Sequence, residues 1–345
     1  MLSRRRRTGR SSPAWRTVGA AVAAVALLAL VARAAAQTAQ GGDLPVSAAT
    51  STTQPASRPT ASLTAAPPAA PSTPVAPTAS VSPSAPAAPV WTARLVRAAG
   101  VRQWIECAGR GPVTVVVISG LQATHTMWDR VLPSFARTTR TCVYDRPGLG
   151  GSPARSPHAV VDAGLHADEL MALLDADHVT GPLVVVAHSY GGLVARAFVA
   201  RHASRVAGLM LLEGVAPYDR LSPYWPEGGD RIDMVRSSAA ALPMRLGSLP
   251  LVVEAAQDPD RDDWGGPSYG STADDLADWR AHQQAAASLS TSSTYVVVAR
   301  SAHIIERDRP DAVVAGLRLL VRAAEGRSPL PRCALAAYGV QPLCP

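Results

Sequence analysis

Short apolar stretches alternate with longer amphipathic stretches from residue 102 to residue 324, and this alternation strongly constrains the fold. The apolar stretches include VTVVVISG at 113–120, PLVVVAH at 182–188 and STYVVVAR at 293–300. Short valine-rich runs without polar alternation are typical of strands that are buried on both faces. Because helical stretches separate them, the sequence predicts an α/β fold with a mostly parallel central sheet and helices on both faces.

Helical spacing of apolar residues is found between the predicted strands, at 127–136, 158–177, 191–205 and 310–324. Pro310 would stand in the first turn of the last helix, where a backbone N–H has no partner to lose. Globular composition begins at residue 90 and continues to the end without a second linker. We therefore predict one domain over residues 90–345.

The first 36 residues have the layout of an export signal. Five arginines within the first ten residues precede an apolar run from Val18 to Ala32, and small residues follow it. The run is shorter than the roughly 20 apolar residues of a membrane-spanning helix. Two outcomes stay open, a signal peptide that is cleaved and a signal anchor that is retained. Either one predicts an extracellular or cell-surface protein, where disulfides can form.

Residues 37–89 consist almost wholly of Ala, Pro, Ser, Thr and Val. This segment has too few large apolar side chains to offset the entropy lost on ordering, so it is predicted to be a disordered tether. The tether would hold the domain away from a membrane or within a cell wall.

The net charge of +7 does not indicate a nucleic-acid partner. Residues 1–40 contain seven arginines and no acidic residue, so the rest of the chain is formally neutral. The basic character thus belongs to the export signal and not to a binding face of the domain.

A serine stands at an abrupt junction between a predicted strand and a predicted helix, in AHSYGG at 187–192. A G-x-S-x-G turn in this setting is a nucleophile elbow, which exposes the serine hydroxyl at the end of the strand. Ala187 replaces the first glycine, and its small side chain is compatible with the tight turn. Ser189 is therefore a candidate nucleophile; the alternative is a serine that caps the helix.

A nucleophilic serine requires a general base. His303 lies in the loop between the predicted strand at 293–300 and the last helix. Loops at the carboxyl ends of parallel strands are where ligand-facing groups collect in such sheets. Of the eight histidines, His303 is the one with a suitable place and order in the chain.

Four stretches together resemble the α/β-hydrolase superfamily of serine hydrolases, close to its exported actinobacterial-type members. They are VVVISGLQ at 115–122, YDRPGLGGSP at 144–153, AHSYGG at 187–192 and SAHIIERDRPD at 301–311. In order, they are similar to the family's first buried strand with its oxyanion loop, its typical turn, its elbow and its histidine loop. The chain departs from the family where Ala187 and Ala302 replace glycine and Ser119 replaces histidine.

The resemblance implies roles for the residues in these stretches. Ser189 would be the nucleophile, and His303 the general base that takes its proton. The backbone N–H groups of Leu121 and Tyr190 would form the oxyanion hole. Asp145 and Arg146 belong to the family's typical turn, and we interpret both as structural.

Relatives place the acid of the triad after either of two strands, so two carboxylates compete for this role. Glu213 directly ends the stretch LMLLE and is favoured for that reason. Asp258 follows LPLVVEAAQ, with Asp260 close behind it, in a poor copy of the family's later acid site. For both candidates, the structural alternative is a strand-end carboxylate paired with an arginine.

The resemblance also implies the pairing of the four cysteines. In this family the strand that holds Cys107 runs antiparallel beside the strand that holds Cys142, so these two would form a disulfide. Cys333 and Cys344 would then pair across a short C-terminal loop. No cysteine has a metal-ligand spacing, and we expect no metal or other cofactor.

Residues 216–248 interrupt the sheet pattern and contain Tyr218, Tyr224 and Trp225. We predict a small cap that determines substrate specificity; the alternative is a surface excursion. The sequence thus predicts an exported serine hydrolase that acts on a small-molecule ester or amide, with carboxylic esters as the first expectation. The alternatives are an amidase, peptidase or thioesterase on the same triad, and a non-catalytic surface binding protein.

Overall fold

The structure is a computed structural model of the 345-residue chain, and it describes residues 88–217, 229–242, 244–259 and 273–344. Outside the described residues lie the predicted export signal, the predicted tether up to residue 87, residues 218–228 and 243 of the predicted cap, and Asp260. Among the helices that it describes, none is both long enough and apolar enough to cross a membrane.

The described residues contain a large central sheet and a second, two-stranded one. The strands are β1 (Thr92–Ala98), β2 (Val101–Ala108), β3 (Thr114–Ile118), β4 (Arg140–Tyr144), β5 (Val160–Val161), β6 (Leu183–His188), β7 (Val206–Leu212), β8 (Arg231–Ile232), β9 (Leu251–Ala256), β10 (Ser293–Val298) and β11 (Gly339–Val340). The central sheet has the order β1-β2-β4-β3-β6-β7-β9-β10-β11, and β5 pairs with β8.

The middle of the central sheet is parallel and its edges are antiparallel. All neighbouring pairs from β4 through β3, β6, β7 and β9 to β10 are parallel. Antiparallel pairing joins β1 to β2, β2 to β4 and β10 to β11. The carboxyl ends of the parallel strands therefore meet along one edge of the sheet, where ligand sites of such folds collect.

Helices cover both faces of the central sheet. They are α1 (Leu132–Thr138), α2 (Ala163–Ala176), α3 (Gly191–His202), α4 (Met234–Ala240), α5 (Ala273–Ala287), α6 (Ile305–Asp308) and α7 (Pro310–Ala324). Side chains of β6 alternate between two apolar clusters: Val185 packs in the cluster with Phe198 of α3, and Val184 packs in the cluster with Leu317 of α7. A strand that is buried on both faces has this alternation, and the predicted fold class is confirmed.

Two predicted helices begin later than their apolar spacing indicated. The stretch predicted as a helix at 158–177 first forms β5, and the carboxylate of Asp162 then accepts the backbone N–H of Leu165 at 3.0 Å to cap α2. The helix predicted at 127–136 is divided into a 3-10 turn at His125–Trp128 and α1. A capping hydrogen bond in the first case and a 3-10 turn in the second override the apolar period.

The structure contains both disulfides that the resemblance implied. Cys107 and Cys142 are directly opposite each other in the antiparallel pair of β2 and β4, and a disulfide joins them. A second disulfide joins Cys333 to Cys344. Between them the chain forms β11, so this bridge closes the loop that holds the C-terminal segment on the edge of the sheet.

Candidate active site

Three residues separated widely in the chain meet at the carboxyl edge of the central sheet. Ser189 directly follows β6, Glu213 directly follows β7, and His303 lies in the loop after β10. Because these strands are parallel members of one sheet, their carboxyl ends bring the three side chains together.

Ser189 has a strained backbone conformation, with φ at +53°. Its N–H donates to the carbonyl of Leu212 at 3.1 Å, and its carbonyl accepts the N–H groups of Gly192 at 2.8 Å and Val215 at 3.0 Å. A positive φ in a non-glycine residue persists only where its surroundings fix it, as these hydrogen bonds do. A Cβ on Gly191 would lie 2.5 Å from the carbonyl oxygen of Ile118, so the turn requires a glycine there.

The alternative of a helix-capping serine does not fit this geometry. Tyr190, and not Ser189, occupies the N-cap position of α3, and no side chain makes the capping hydrogen bond. The hydroxyl oxygen of Ser189 is instead 3.0 Å from Nε2 of His303.

His303 links the serine to a carboxylate. Its Nδ1 is 3.3 Å from Oε2 of Glu213, while its Nε2 is 3.0 Å from the hydroxyl of Ser189. With its proton on Nδ1, the neutral imidazole donates to the carboxylate and offers the Nε2 lone pair to the serine hydroxyl. A general base needs this orientation within hydrogen-bond distance of the proton that it removes.

Glu213 is completely buried, and N–H donors surround its carboxylate. Oε1 accepts the backbone N–H of Ala256 at 2.7 Å, and Oε2 accepts Nε1–H of Trp279 at 2.9 Å in addition to its contact with His303. The backbone of Glu213 also has a positive φ of +47°, which turns the chain sharply at the end of β7. These donors fix the carboxylate against the imidazole and satisfy its acceptor oxygens.

The rival acid, Asp258, occupies a different environment. It is exposed, and its backbone N–H donates to the carbonyl of Ser301 at 3.1 Å. The structure thus places the favoured candidate, Glu213, on Nδ1 of His303, and leaves Asp258 at the surface of the loop after β9.

The predicted oxyanion loop packs closely against the serine. A Cβ on Gly120 would lie 2.9 Å from Nδ1 of His188 and 3.2 Å from Cβ of Ser189, closer than ordinary van der Waals contact, so glycine suits this approach. The side chain of Arg146 donates to the carbonyl oxygens of Ser119, at 2.7 Å, and of Gly120. Its guanidinium also lies over the ring of Tyr190, 5.4 Å from the centroid. Arg146 therefore contacts both segments that carry the predicted oxyanion donors, Leu121 and Tyr190.

Asp145 secures the other end of the oxyanion loop. Its carboxylate accepts the backbone N–H of His125 at 2.8 Å and that of Gly151 at 2.8 Å. Oδ2 also lies 2.7 Å from Nδ1 of His125, whose ring packs on Trp104 with centroids 4.0 Å apart. The stretch YDRPGLGGSP thus supports the loop through both of its charged residues, in keeping with the structural interpretation of Asp145 and Arg146.

Ser119, which stands where relatives have histidine, is part of this support. Its hydroxyl accepts Nε1–H of the fully buried Trp128 at 3.0 Å and donates to the carbonyl of Thr124 at 3.4 Å. A hydroxyl can accept one hydrogen bond and donate another, so Ser119 can join Trp128 to the Thr124 carbonyl in place of the histidine of the relatives.

The side chain of Tyr190 connects the elbow to α2. Its hydroxyl is 3.1 Å from Nδ1 of His166 on α2. Burial raises the pKa of Tyr190 to about 12 and lowers the pKa of His166 well below its usual value. Both groups are therefore neutral near pH 7.

Within the described ranges, no group of three or more His, Cys, Asp or Glu side chains could hold a metal ion. Sequence reasoning missed Trp279, because α5 has no clear apolar period, and it missed the contacts of Arg146. No local signal in the sequence links either residue to the elbow.

Comparisons with known sequences agree with the fold class. The model of a family described as the alpha/beta hydrolase fold matches residues 113–238. Lipase LipV of Mycobacterium tuberculosis is 36% identical over 109 residues, which cover 32% of this chain and 40% of that protein. An AB hydrolase superfamily protein of Gibberella zeae is 36% identical over 108 residues, which cover 30% of this chain and 32% of that protein. The chain thus spans less than half the length of these curated relatives.

Solved structures with a similar fold have different activities. A thermophilic esterase from Thermogutta terrifontis has a TM-score of 0.50 and 20% identity, with 68% of this chain and 99% of that chain covered. The haloalkane dehalogenase DatA from Agrobacterium tumefaciens C58 has a TM-score of 0.50 and 14% identity, with 68% and 97% covered. At these identities the likeness concerns the fold alone.

Proposed function

We propose that the chain, which has the α/β-hydrolase fold and matches the model of that family over residues 113–238, is a serine hydrolase that cleaves carboxylic esters through an acyl-enzyme. The observation that carries the proposal is the hydrogen-bonded series of Ser189, His303 and Glu213, with contacts of 3.0 and 3.3 Å. The strained φ of +53° at Ser189 supports the same role, since strain of this kind clusters at active sites.

In the first half of the reaction, the hydroxyl oxygen of Ser189 attacks the ester carbonyl while Nε2 of His303 takes the hydroxyl proton. Glu213 stabilises the imidazolium through Nδ1–H. The backbone N–H groups of Leu121 and Tyr190 bind the oxyanion of the tetrahedral intermediate. His303 then returns the proton to the leaving alcohol as the carbon–oxygen bond breaks, which leaves the acyl group on Ser189.

In the second half, water replaces the alcohol. Nε2 of His303 takes a proton from the water as its oxygen attacks the acyl carbonyl, and the same N–H groups bind the new oxyanion. The intermediate collapses, His303 returns the proton to the oxygen of Ser189, and the carboxylic acid leaves. The cycle consumes one ester and one water, and it requires no group beyond these side chains and backbone N–H groups.

Esters are the proposed substrates because a named relative is a lipase. Amides and thioesters can react on the same triad, so they are the second candidates. A serine at position 189 argues against epoxide hydrolase or dehalogenase activity, because the enzymes of this fold with those activities use an aspartate nucleophile. A non-catalytic binding protein is the alternative from a different class.

We also propose that the enzyme is exported and acts on a small-molecule substrate outside the cytoplasm. The arginine-rich start and apolar run of residues 1–36 support export, and two disulfides are compatible with it. If the leader is retained, residues 37–89 would tether the enzyme to the membrane.

The test uses the full chain, purified with its disulfides formed. We expect turnover of p-nitrophenyl esters, labelling of Ser189 by a fluorophosphonate in peptide mapping, and loss of both in Ser189→Ala. The matched control is Ser134→Ala on α1, which should retain both. Comparison of p-nitrophenyl acetate with p-nitroacetanilide keeps the acyl group and changes ester to amide, so it separates esterase from amidase. A folded protein with neither turnover nor label would contradict the proposal and favour the binding protein.

A further inference from the structure

A second histidine, which the proposed reaction does not use, lies behind the triad. His188 is the last residue of β6, directly before Ser189, and only 2% of it is exposed. Its Nε2 is 2.8 Å from the backbone carbonyl oxygen of His303. A carbonyl oxygen only accepts hydrogen bonds, so Nε2 of His188 carries a proton in this contact. His188 therefore ties the loop of the predicted base to the elbow of the predicted nucleophile.

The other nitrogen of His188 faces a buried carboxyl group. Nδ1 is 3.6 Å from Oε1 of Glu306, which lies on α6 and is completely buried. Among the described residues, neither Nδ1 of His188 nor either oxygen of Glu306 makes a hydrogen bond, so the two groups face each other at a distance slightly longer than a hydrogen bond. Burial lowers the pKa of His188 to about 3 and raises the pKa of Glu306 to about 8. The contact therefore joins two neutral groups near pH 7, and the carboxyl O–H faces an acceptor nitrogen.

Several charged or titratable groups surround Glu306. His188 faces it from β6, and Glu254 of β9 raises its pKa further. On its own helix, Arg307 lowers the pKa and Asp308 raises it. Burial remains the largest cause of the shift, so Glu306 keeps its proton at neutral pH.

We propose that His188 is a positioning residue for His303, and that the protonated carboxyl of Glu306, which faces Nδ1 at 3.6 Å, favours the tautomer of His188 that donates to the His303 carbonyl. This inference rests on the proposed function, because it concerns the base of that reaction. A reacting group that moves by about 1 Å can lose roughly a hundredfold in rate. The contact of His188 therefore matters for catalysis even though its side chain does not touch the reacting atoms.

The same arrangement makes the support of His303 dependent on pH. Once Glu306 ionises, its carboxylate accepts and no longer donates. The proton of His188 is then favoured on Nδ1, facing the carboxylate, and Nε2 loses the proton that it donates to the carbonyl of His303. The rate of reaction at Ser189 should therefore fall at alkaline pH as Glu306 ionises, with a midpoint near 8.

The first experiment removes the donor at position 188 in the full chain. We expect His188→Leu to lower kcat for p-nitrophenyl butyrate about ten- to a hundredfold, with KM changed less than about threefold, because binding is left intact. His188→Gln offers an amide N–H at a similar reach and should recover part of kcat. A folded His188→Leu protein with kcat within about twofold of wild type would overturn the inference.

The second experiment follows the rate of fluorophosphonate labelling at Ser189 between pH 6 and 9.5. Glu306→Gln presents an amide N–H to His188 at every pH, so it should label at the wild-type rate at pH 7 and lose the alkaline decline. The matched control is Glu254→Gln, which removes another fully buried carboxyl that does not contact His188, and it should retain a decline. A decline that persists in Glu306→Gln, or its absence in wild type, would overturn the inference.

The outcomes separate this inference from the function on which it rests. Absence of labelling at Ser189 in the folded wild type overturns both. Labelling of the wild type, together with wild-type behaviour of His188→Leu and Glu306→Gln, overturns the inference alone. If the variants at position 188 fail to fold, the pH profile of Glu306→Gln decides.

Discussion

Glu213 and Glu254 lie on neighbouring strands of one sheet, and both are completely buried, yet their environments are opposite. Two N–H donors and the imidazole of His303 surround the carboxylate of Glu213 at the end of β7. Among the described residues, neither carboxyl oxygen of Glu254, within β9, has a hydrogen-bond partner. Burial raises the pKa of Glu254 to about 8, so it is a neutral acid near pH 7.

The position within the strand explains the difference. At the end of a strand the chain turns away, so backbone N–H groups and loop side chains can point at a carboxylate. Within the strand, the N–H groups are used by the sheet, and the side chain of Glu254 packs against α7, where a Cβ on Gly316 would lie 2.5 Å from its Oε1. An equally buried glutamate can thus be an anchored triad candidate or an isolated acid.

The largest expected effect is the loss of kcat on substitution of Glu213. Glu213→Gln should lower kcat for p-nitrophenyl butyrate roughly 10⁴-fold, since the amide no longer holds His303 in the tautomer with its proton on Nδ1. Steady-state kinetics measure this loss. Glu254→Gln is the control, and its kcat should stay near wild type at pH 7. Equal kcat for wild type and Glu213→Gln would remove Glu213 from the triad.

The second effect concerns stability and belongs to Glu254. Its pKa rises from 4.5 in the unfolded chain to about 8, so the native state keeps a proton that the unfolded state loses first. The stabilisation is complete below pH 4.5 and is lost as the pH rises towards 8. Between pH 5 and pH 9, this titration should lower the free energy of unfolding of the wild type by on the order of 4 kcal/mol. Glu254→Gln has no carboxyl to titrate at this position, so its free energy of unfolding should lack this part of the decline.

Urea denaturation of wild type and Glu254→Gln at both pH values measures this difference. Near-UV circular dichroism at pH 5 should show the same fold for the two proteins. Parallel declines in stability would mean that Glu254 does not keep its proton in the native state.

A smaller effect sharpens the account of the donors around Glu213. Trp279→Phe removes the N–H that Oε2 of Glu213 accepts at 2.9 Å and keeps most of the apolar packing. A lost hydrogen bond to a charged group is worth about 1.5–3 kcal/mol, so kcat should fall about tenfold or more with KM nearly unchanged. Trp104→Phe, which alters a tryptophan that packs on His125, is the matched control and should have a weaker effect on kcat.

The smallest effect is expected at the rival acid. Asp258 is exposed and uses its backbone N–H, which alanine retains, to bond Ser301. Asp258→Ala should therefore keep kcat within about twofold of wild type, as is usual for exposed positions. A hundredfold loss would instead return the acid role to Asp258.

The sequence could predict features that depend on strand ends and could not predict those that depend on tertiary contacts. Apolar runs located the parallel strands, so Ser189, Glu213 and His303 could be placed at one edge of the sheet before the structure was known. The sheet also has β1, whose stretch TARLVRA is largely exposed and lacks the apolar run of its neighbours. It is held by pairing with β2, which composition alone does not indicate.

Two kinds of detail of the site could not be predicted from the sequence. The positive φ angles of Ser189 and Glu213 occur in residues that rarely adopt them, and the surrounding turns impose them. His188 directly precedes the serine, and its ring bonds the backbone carbonyl of His303. That contact joins residues 115 positions apart, so no local pattern can reveal it.

The C-terminal segment protects the strand that leads to His303. The strand β11 pairs with the outer side of β10, the carbonyl of Tyr338 accepts the N–H of Ala299 at 2.9 Å, and the bridge from Cys333 to Cys344 closes the loop. A chain cut before Cys333 would expose the unpaired backbone groups of β10, which are a template for pairing with another copy. Residues 333–344 therefore cover the edge of the central sheet, and a chain that lacks them should aggregate.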